Sequence, residues 1–397
     1  MVDLLKGVRV LSFNHFLMGP LGVQFLADLG ADVIAVEPPE GAFQRKWGGA
    51  DKQVDGQTML LLVGNRNKRS LTLDLKRPEA VAIAKKLIMT SDVIAENFRP
   101  GVLDKLGLGF EAARAIKPDI IYAAASGYGA HGPYLNRPGQ DLLVQALSGL
   151  AAITGSREHG PRAVGVSAVD HHGAALFAAG ILAALVGKAR TGKGCRVDVS
   201  LLSAAIDLQS ESFTCYLNGD TPDDVRPQGP IAGWYYGAPY GIYPTSDGHV
   251  AISLGSLDVL GGALGLPPAQ RIPDSAAYPR RNEAAAAIAA NLATRTTAEC
   301  LRILSAHGVW HAPINDYADV VADPQVRHNR SFQTVEGATG SPITVVSHPI
   351  RYDGEVPAVR LPPQKLGAQT EDILREIGYD AAQRRSLYAS GVVGALA

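Results

Sequence analysis

The sequence predicts an α/β fold in which a large, doubly wound, mostly parallel sheet (Rossmann-like) is accompanied by a smaller α+β domain. Strand-like and helix-like segments alternate between residues 8 and 124. Such alternation is typical of a parallel sheet with helices on both faces. Hydrophobic residues make up 46% of the 397 residues, which is enough to build a sizeable core.

The first elements follow a β-α-β pattern, with strands at 8–13 and 32–36 around a helix at 20–29. Pro20 fits the first helical turn, because a missing N–H is harmless there, and Gly30 suits the position just after the helix. Further elements are expected as follows: strands at 70–75, 92–95, 120–124 and 249–254, and helices at 78–89 and 283–308.

Composition shifts along the chain predict the domain limits. Residues 1–205 are expected to form the first part of a large α/β domain, residues 225–330 a small domain, and residues 331–397 a return to the large domain. Between residues 141 and 189 the chain becomes two apolar helical segments that flank the small-residue stretch AVGVSAVDHHG.

Charge and cysteine content exclude several classes of protein. The formal net charge of −1 argues against a nucleic-acid-binding protein, which usually carries a basic excess. The three cysteines form no CxxC pair, so a disulfide framework or zinc site is not expected. The N-terminus lacks the pattern of a signal peptide, and the longest apolar run, 174–186, is shorter than a membrane span. We therefore expect a cytoplasmic protein with no membrane partner.

Ligands of doubly wound sheets bind at the carboxyl ends of the strands, which here precede the loops 14–19, 37–41, 97–101 and 126–139. The first loop reads NHFLMGPLG and lacks GxGxxG, so a dinucleotide cofactor is not expected. His171 and His172 are adjacent, point apart on a helix and do not predict a metal site.

Asp170 allows two interpretations. It precedes the helical run HHGAALFAAGILAAL and could be an ordinary N-cap. Alternatively, backbone N–H groups and the helix dipole keep its carboxylate ionised, and the carboxylate carries an acyl group as an activated anhydride. The pattern alone leaves both interpretations open.

Other polar residues near strand ends also have two interpretations. His15 is either a surface histidine or a contact for a bound acyl thioester. The segment 97–101 (NFRPG) either begins a helix or forms a ligand-facing rim. Four basic residues are either solvated surface charges or phosphate contacts: Lys68, Arg69, Lys76 and Lys105.

Taken together, the motifs resemble those of the class III coenzyme A transferases, a superfamily that includes formyl-CoA transferase, carnitine CoA-transferase and α-methylacyl-CoA racemase. The likeness covers nearly the whole chain. It runs through LLKGVRVLSFNHFLMGPLG, NRNKRSLTLDLK, ENFRPGVLDKLGLG and SGYGAHGPY, then the stretch around GVSAVDHHGAALFAAG, and finally YGAPYGIYPTSDGHVAIS, VWHAPINDYADVVADPQV and LGAQTEDILREIGY.

The resemblance implies a fold, an assembly and a site. In the implied fold, both ends of the chain form the large, CoA-binding α/β domain, and a smaller domain lies between them. Two chains are expected to interlock as a homodimer that uses a coenzyme A thioester as substrate, with small carboxylic acids and without a tightly bound cofactor. Asp170 falls on the catalytic aspartate, and Gly233 on a mobile glycine loop over the active site. The remaining implied CoA contacts are His15, Leu17, Met18, Leu73, Asp74, Lys76, Asn97, Phe98, Arg99, Lys105, Pro138, Gly139, Gln140 and Asp141.

Four differences from individual members of the family affect the predicted chemistry. Leu17 stands where the oxalate-using member has glutamine, Pro38 stands where that member has a basic residue, and 229–236 holds fewer glycines than its loop, which disfavours oxalate. Racemases carry histidine where this chain has Gln140, and glutamine cannot take up a proton at neutral pH. Transfer of CoA is therefore favoured over racemisation. Two alternatives remain: isomerisation of an acyl-CoA by intramolecular migration of CoA, and a non-catalytic CoA-binding subunit, against which the presence of Asp170 argues.

Overall fold

The computed structural model describes residues 2–219 and 225–394, and these divide into two compact units. The first unit comprises residues 2–144, 167–205 and 324–394, and the second comprises 145–166 and the described part of 206–323. From the sequence, the small domain was expected at 225–330, with residues 145–166 in the large domain. The C-terminal part of the large domain was expected to end at 397, and residues 395–397 lie outside the described part. Those domain limits and the CoA-binding role of the large domain stay a prediction.

The helices and strands alternate through the first unit. The strands are β1 (Arg9–Phe13), β2 (Asp32–Glu37), β3 (Gln53–Val54), β4 (Gln57–Thr58), β5 (Lys68–Thr72), β6 (Val93–Glu96), β7 (Ile121–Ser126), β8 (Arg196–Ser200), β9 (Gly241–Pro244), β10 (His249–Ile252), β11 (His311–Pro313), β12 (Phe332–Glu336) and β13 (Pro342–Val346). The helices are α1 (Met18–Asp28), α2 (Met59–Gly64), α3 (Pro78–Met89), α4 (Val102–Lys105), α5 (Phe110–Ile116), α6 (Asp141–Leu147), α7 (Leu150–Thr154), α8 (Ala168–Thr191), α9 (Leu201–Asp207), α10 (Ser210–Leu217), α11 (Leu257–Ala263), α12 (Arg281–Leu292), α13 (Thr297–Ala306), α14 (Tyr317–Ala322), α15 (Pro324–His328), α16 (Thr370–Glu376) and α17 (Ala381–Ala389).

The main sheet has the strand order β5-β2-β1-β6-β7-β8, and all its pairings are parallel. Leu11 of β1 pairs with Ile34 of β2 on one side and Ile94 of β6 on the other. One face is covered by α3 and α5, whose apolar residues share a core with these strands. The other face is covered by α1 and α8. The predicted α/β class with a large parallel sheet is confirmed.

Smaller antiparallel sheets complete both units. In the first unit β3 pairs with β4 and β12 with β13. In the second unit the order β11-β10-β9 is antiparallel, and its core includes the fully buried Tyr243 and residues of α11, α12 and α13. The second unit is therefore an α+β arrangement with its own core.

Local details differ from the predicted element limits, and contacts made elsewhere in the chain explain the differences. The strand expected at 70–75 is β5, which ends at Thr72; Leu73 N–H then donates to Glu37 O and Asp74 N–H donates to Val392 O. The helix expected at 283–308 is two helices. Thr296 separates them, because its side chain and Glu299 form a capping box that begins α13.

Helix α8 is longer than the apolar run 174–186 had suggested. It has 24 residues, and its most apolar window has a mean hydropathy of 1.5, so by length and composition it could cross a membrane. A buried core helix meets the same two conditions. Phe177, Ile181 and other residues of this helix are buried, and α8 packs on α1. The predicted absence of a membrane partner stays a prediction.

A buried network of charged and polar side chains joins α1 to the residues that directly precede β5. Asp28 accepts hydrogen bonds from Arg66 Nη2 at 2.7 Å, Asn67 Nδ2 at 2.8 Å and His348 Nδ1 at 3.2 Å. The side chains of Arg66 and Asp28 are 6% and 2% exposed. A buried ion is costly to leave without its partner, so this network constrains the packing of α1.

We expect Asp28→Ala to lower the free energy of unfolding of the protein by about 3–5 kcal/mol, because it leaves the Arg66 guanidinium buried without its counter-ion. The measurement is urea unfolding followed by circular dichroism. The matched control is Asp372→Ala, which removes one partner of the exposed ion pair with Arg375 and should cost less than about 1 kcal/mol. Equal losses for the two variants would contradict the prediction.

Candidate active site

The strand order of the main sheet creates a crevice between β1 and β6. From β1 the chain proceeds to β2 and β5 on one side, whereas β6, β7 and β8 follow on the other. The loops that leave β1 and β6 therefore diverge, and a crevice opens at the carboxyl ends of these two strands. His15 follows β1 and Asn97 follows β6, so two predicted site residues flank this crevice.

The Asn97 amide holds the main chain of the β1–α1 loop. Its Oδ1 accepts the His15 N–H at 2.8 Å, and its Nδ2 donates to His15 O at 2.8 Å. Asn14 turns its Nδ2 towards Ser12 Oγ and Ala95 O, at 2.9 and 3.2 Å. Hydrogen bonds from two asparagines thus fix the loop that enters α1.

The His15 side chain lies among aromatic rings. Its ring centroid is 5.2 Å from that of Phe98 and 4.8 Å from that of Phe16. Burial lowers the pKa of His15 to about 4, so the imidazole is uncharged at neutral pH. His15 can therefore pack against a ligand or exchange hydrogen bonds with it, but it does not supply a positive charge.

Leu17 and Met18 pack on the first turns of α8. Leu17 forms an apolar cluster with Leu21 and Ala174. A Cβ at Gly173 would lie 2.9 Å from Met18 Cε, so the absence of a side chain at Gly173 lets Met18 approach. Since Gly173 lies three residues after Asp170, these contacts bring the β1–α1 loop to the start of α8.

Asp170 is the third residue of α8, and its side chain is half-buried. Burial, and then the nearby Asp141 carboxylate, raise the pKa of Asp170 to about 7. Burial and this like charge act against the expectation that the helix terminus keeps Asp170 ionised. The N-cap interpretation is wrong: Ser167 occupies that position and makes no side-chain capping bond.

Asp141 instead caps this helix. Its Oδ1 accepts the N–H groups of Val169 at 2.8 Å and Asp170 at 2.9 Å. The preceding residues bring it there: a Cβ on Gly139 would lie 2.4 Å from the Cα of Gly127, so the two chain segments touch. In this wall Pro138 O accepts from Tyr128 Oη and Gln140 O accepts from Val144 N–H at 3.0 Å.

Several of the expected CoA contacts lie after β5 and β6. Lys76, Arg99 and Lys105 are exposed, whereas Leu73 is 1% exposed and belongs to the core. Any ligand contact of Leu73 would therefore come from its main chain. Asp74 is half-buried, and its Oδ1 accepts the Lys76 N–H at 3.2 Å.

Two of the basic residues considered for phosphate binding are engaged elsewhere. Lys68 is buried, and its Nζ donates to Pro20 O at 2.8 Å and to Asn65 Oδ1 at 3.2 Å. Burial lowers the pKa of Lys68 to about 7. Arg69 bonds to Asp32 and Glu376. Lys68 is therefore neither a surface charge nor a phosphate contact.

Gly233 belongs to the second unit. A Cβ at this position would lie 2.7 Å from the Tyr236 ring. The Tyr236 hydroxyl donates to Glu211 Oε2 at 2.6 Å, which ties the glycine-containing segment to α10. Its role as a mobile cover of the active site stays a prediction.

Glu96, the last residue of β6, lies at the same edge of the sheet and was not predicted as a site residue. It is buried, and burial raises its pKa to about 7. With Phe98, Tyr122, Arg196 and other residues it lines a cavity of about 250 Å³. Its position at the end of a strand could have identified it, but only the following motif, NFRPG, was considered as a ligand contact. Within residues 2–219 and 225–394, no three His, Cys, Asp or Glu side chains are grouped as metal ligands.

A parallel sheet with a crevice at its switch point, bordered by a carboxylate at a helix start, defines a Rossmann-like α/β enzyme. The chain belongs to CoA-transferase family III, whose model matches residues 5–370. It is 35% identical to succinyl-CoA:glutarate CoA-transferase of Mus musculus over 402 residues, covering 98% of this chain and 90% of that protein.

Two further relatives agree with this family. The chain is 31% identical to succinate–glutarate CoA-transferase of Agrobacterium fabrum, covering 94% of this chain and 95% of that protein. The crystal structure of a CAIB/BAIF family protein from Brucella suis superposes with a TM-score of 0.81 at 31% identity, covering 94% of this chain and 98% of that one. The predicted family is confirmed, and the protein is a CoA-transferase that uses CoA thioesters.

The crevice depends on a close contact at Gly19, so we expect Gly19→Ala to reduce CoA-transfer activity by about tenfold or more. A Cβ there would lie 2.2 Å from Asn14 Oδ1 and 3.0 Å from Asn97 Cγ, which would displace the amides that hold the loop. The measurement is kcat/KM with an acyl-CoA donor and a carboxylic acid.

The control for this substitution is Gly187→Ala in α8, where nothing lies within 4 Å of the added Cβ. That change should leave kcat/KM unchanged and stabilise the helix by up to about 1 kcal/mol. If both variants keep full activity while folded, the contact at Gly19 does not position the site.

Proposed function

We propose that Asp170 is the carboxylate that carries the acyl group while coenzyme A moves from a donor thioester to an acceptor acid. The observation that carries this proposal is the position of Asp170: it is half-buried at the start of α8, where Leu17 and Met18 pack against the next turn. A carboxylate can attack an acyl group and leave again, because the anhydride that it forms is activated.

In the first half of the reaction, an Asp170 oxygen attacks the donor thioester carbonyl and the C–S bond breaks. This gives a mixed anhydride and the CoA thiolate. The thiolate then attacks the Asp170 carbonyl carbon, and the C–O bond to the donor acyl group breaks. The donor acid leaves as its carboxylate, and an aspartyl-CoA thioester remains.

In the second half, an acceptor carboxylate oxygen attacks the aspartyl thioester and expels the CoA thiolate. The thiolate then attacks the acceptor carbonyl of the new anhydride. The acceptor leaves as its CoA thioester, and Asp170 regains a free carboxylate. No net proton or electron is consumed, so the four steps need no cofactor.

Dicarboxylic acids are the substrate class that we propose. The relatives at 35% identity act, by name, between succinyl-CoA and glutarate or D-citramalate. The exposed cations Lys76, Arg99 and Lys105 lie after β5 and β6. In this proposal they attract the negatively charged groups of CoA. We accordingly propose succinyl-CoA as donor and a five-carbon dicarboxylate as acceptor. We also propose that the protein acts in the cytoplasm.

The assembly that we propose is the interlocked homodimer expected from the sequence. Leu142, Leu143 and Leu147 on α6 are 61%, 44% and 43% exposed, and a second copy of the chain would remove this apolar surface from water.

Isotope transfer tests the proposed role of Asp170. With succinyl-CoA and glutarate labelled with oxygen-18 in its carboxylates, we expect label to enter the Asp170 side chain during turnover, because the acceptor leaves one oxygen behind. The measurement is mass spectrometry of the peptide that contains Asp170. Asp170→Asn should lower kcat by at least about a thousandfold.

The control for this experiment is the peptide that contains Asp141 in the same wild-type digest, which should stay unlabelled. Turnover with no label at Asp170, or substantial transfer by Asp170→Asn, would refute the role. Absence of turnover with both glutarate and D-citramalate would instead refute the substrate class, and other labelled acids would then test Asp170.

The raised pKa of Asp170 predicts a pH dependence. Because the nucleophile must be deprotonated, kcat/KM should rise with pH along a single limb with its midpoint near 7 and then level off. His15→Gln should leave that midpoint in place, since the pKa of His15, about 4, lies below this range. A limb centred near pH 4 would contradict the assignment.

A further inference from the structure

Two N–H groups in the first turn of α8 donate hydrogen bonds to a residue from another element. The leading N–H groups of a helix have no partner within the helix, and a side chain at the N-cap normally accepts one of them. Ser167 makes no such bond. Asp141 Oδ1, 28 residues earlier than Val169, accepts the N–H groups of both Val169 and Asp170.

Asp141 is held in place independently of α8. It begins α6, directly after the segment in which Gly139 touches Gly127. Gly127 immediately follows β7, so this contact fixes the position of Asp141 relative to the main sheet. The carboxylate therefore transmits the position of the sheet edge to the main chain of Asp170.

The electrostatic surroundings of Asp170 contain this same carboxylate. Asp141 faces it from α6, and its charge adds to the effect of burial. From α1 the packing side chains Leu17 and Met18 are apolar. On α8 itself the neighbours are His171 and His172, and His171 Nδ1 lies 2.9 Å from Ser167 O with its ring exposed.

The covalent states of Asp170 differ from the free state in charge. A free Asp170 carboxylate is repelled by Asp141, whereas an anhydride or thioester at Asp170 is neutral and is not repelled. The two N–H bonds to Asp141 remain available in every state, because they involve the main chain of Asp170 and not its side chain.

We propose that Asp141 is a positioning residue that fixes the main chain of Asp170 and, through its charge, shifts Asp170 towards its neutral, acyl- or CoA-loaded states. This inference deepens the proposed function and rests on it. It assigns to Asp141 a role in the chemistry that does not depend on contact with substrate.

Two substitutions at one position separate the two parts of this role. Asp141→Asn can keep an oxygen for the two N–H groups but removes the charge. We expect it to move the pH midpoint of Asp170 down by about one unit and to reduce the steady-state aspartyl-CoA thioester about tenfold. Asp141→Ala also removes the cap, and kcat should fall further, by about 10–100-fold, with a smaller change in KM for the donor.

Asp316 supplies the matched control. In the second unit its Oδ1 accepts two N–H groups, those of Ala318 at 2.7 Å and Asp319 at 2.9 Å, at the start of α14. Asp316→Asn and Asp316→Ala repeat the same chemical changes at a helix with no role in the proposed reaction. They should leave the pH midpoint and the amount of thioester unchanged.

Titration of the free enzyme distinguishes this inference from the proposed function. The carboxyl carbon of Asp170, assigned in carbon-13 aspartate spectra by comparison with Asp170→Asn, reports its protonation without turnover. A lower midpoint in Asp141→Asn supports the role of Asp141 even if the oxygen-18 experiment fails. A midpoint equal to wild type in Asp141→Asn, together with kcat within twofold of wild type in Asp141→Ala, would overturn the inference even if Asp170 becomes labelled.

Discussion

Two carboxylates share the start of α8, and their unequal surroundings are the constraint on which the site depends. Asp141 accepts two main-chain N–H groups, whereas Asp170 is partly removed from water beside that charge. Burial alone raises the pKa of a carboxyl group, and a like charge raises it further, so the two effects act in the same direction on Asp170. Groups whose environments differ in this way are typical of acid–base and nucleophilic sites.

This arrangement requires three chain segments to meet at the carboxyl edge of one sheet. Close contacts at glycine positions bring them together: the main chains of Gly127 and Gly139 touch, and the Met18 side chain packs on Gly173. At each of these positions a Cβ would lie within 3 Å of its neighbour, so a larger residue would push the segments apart. The Asn97 amide adds two hydrogen bonds to the main chain of His15, and these fix the loop that leads into α1. Glycine and asparagine contacts therefore set the geometry, and the apolar side chains fill it.

The sequence predicted what local patterns encode. Alternating strands and helices revealed the parallel sheet, and α3 begins and ends at the predicted residues because Pro78 opens it and the apolar spacing runs to Met89. Contacts between distant residues were not predictable in this way. The cap on α8 comes from Asp141, which is distant in sequence and could not be inferred from the residues around Ser167. Lys68 resembles a surface cation in the sequence, but its Nζ bonds to buried oxygens in the structure. Asp170 itself was selected by family resemblance, since its local pattern equally suited an ordinary cap.

Charge balance links the raised pKa to the proposed carrier role. An acyl carrier alternates between a charged carboxylate and uncharged anhydride and thioester states, so surroundings that disfavour charge favour loading. Burial and Asp141 both act against the charged state. The nearby loop offers no compensation from His15, which is uncharged at neutral pH. A cationic neighbour would have the opposite effect: it would hold Asp170 as a stable carboxylate and weaken it as a nucleophile. The surroundings that raise the pKa of Asp170 therefore also suit it to bind an acyl group and release it.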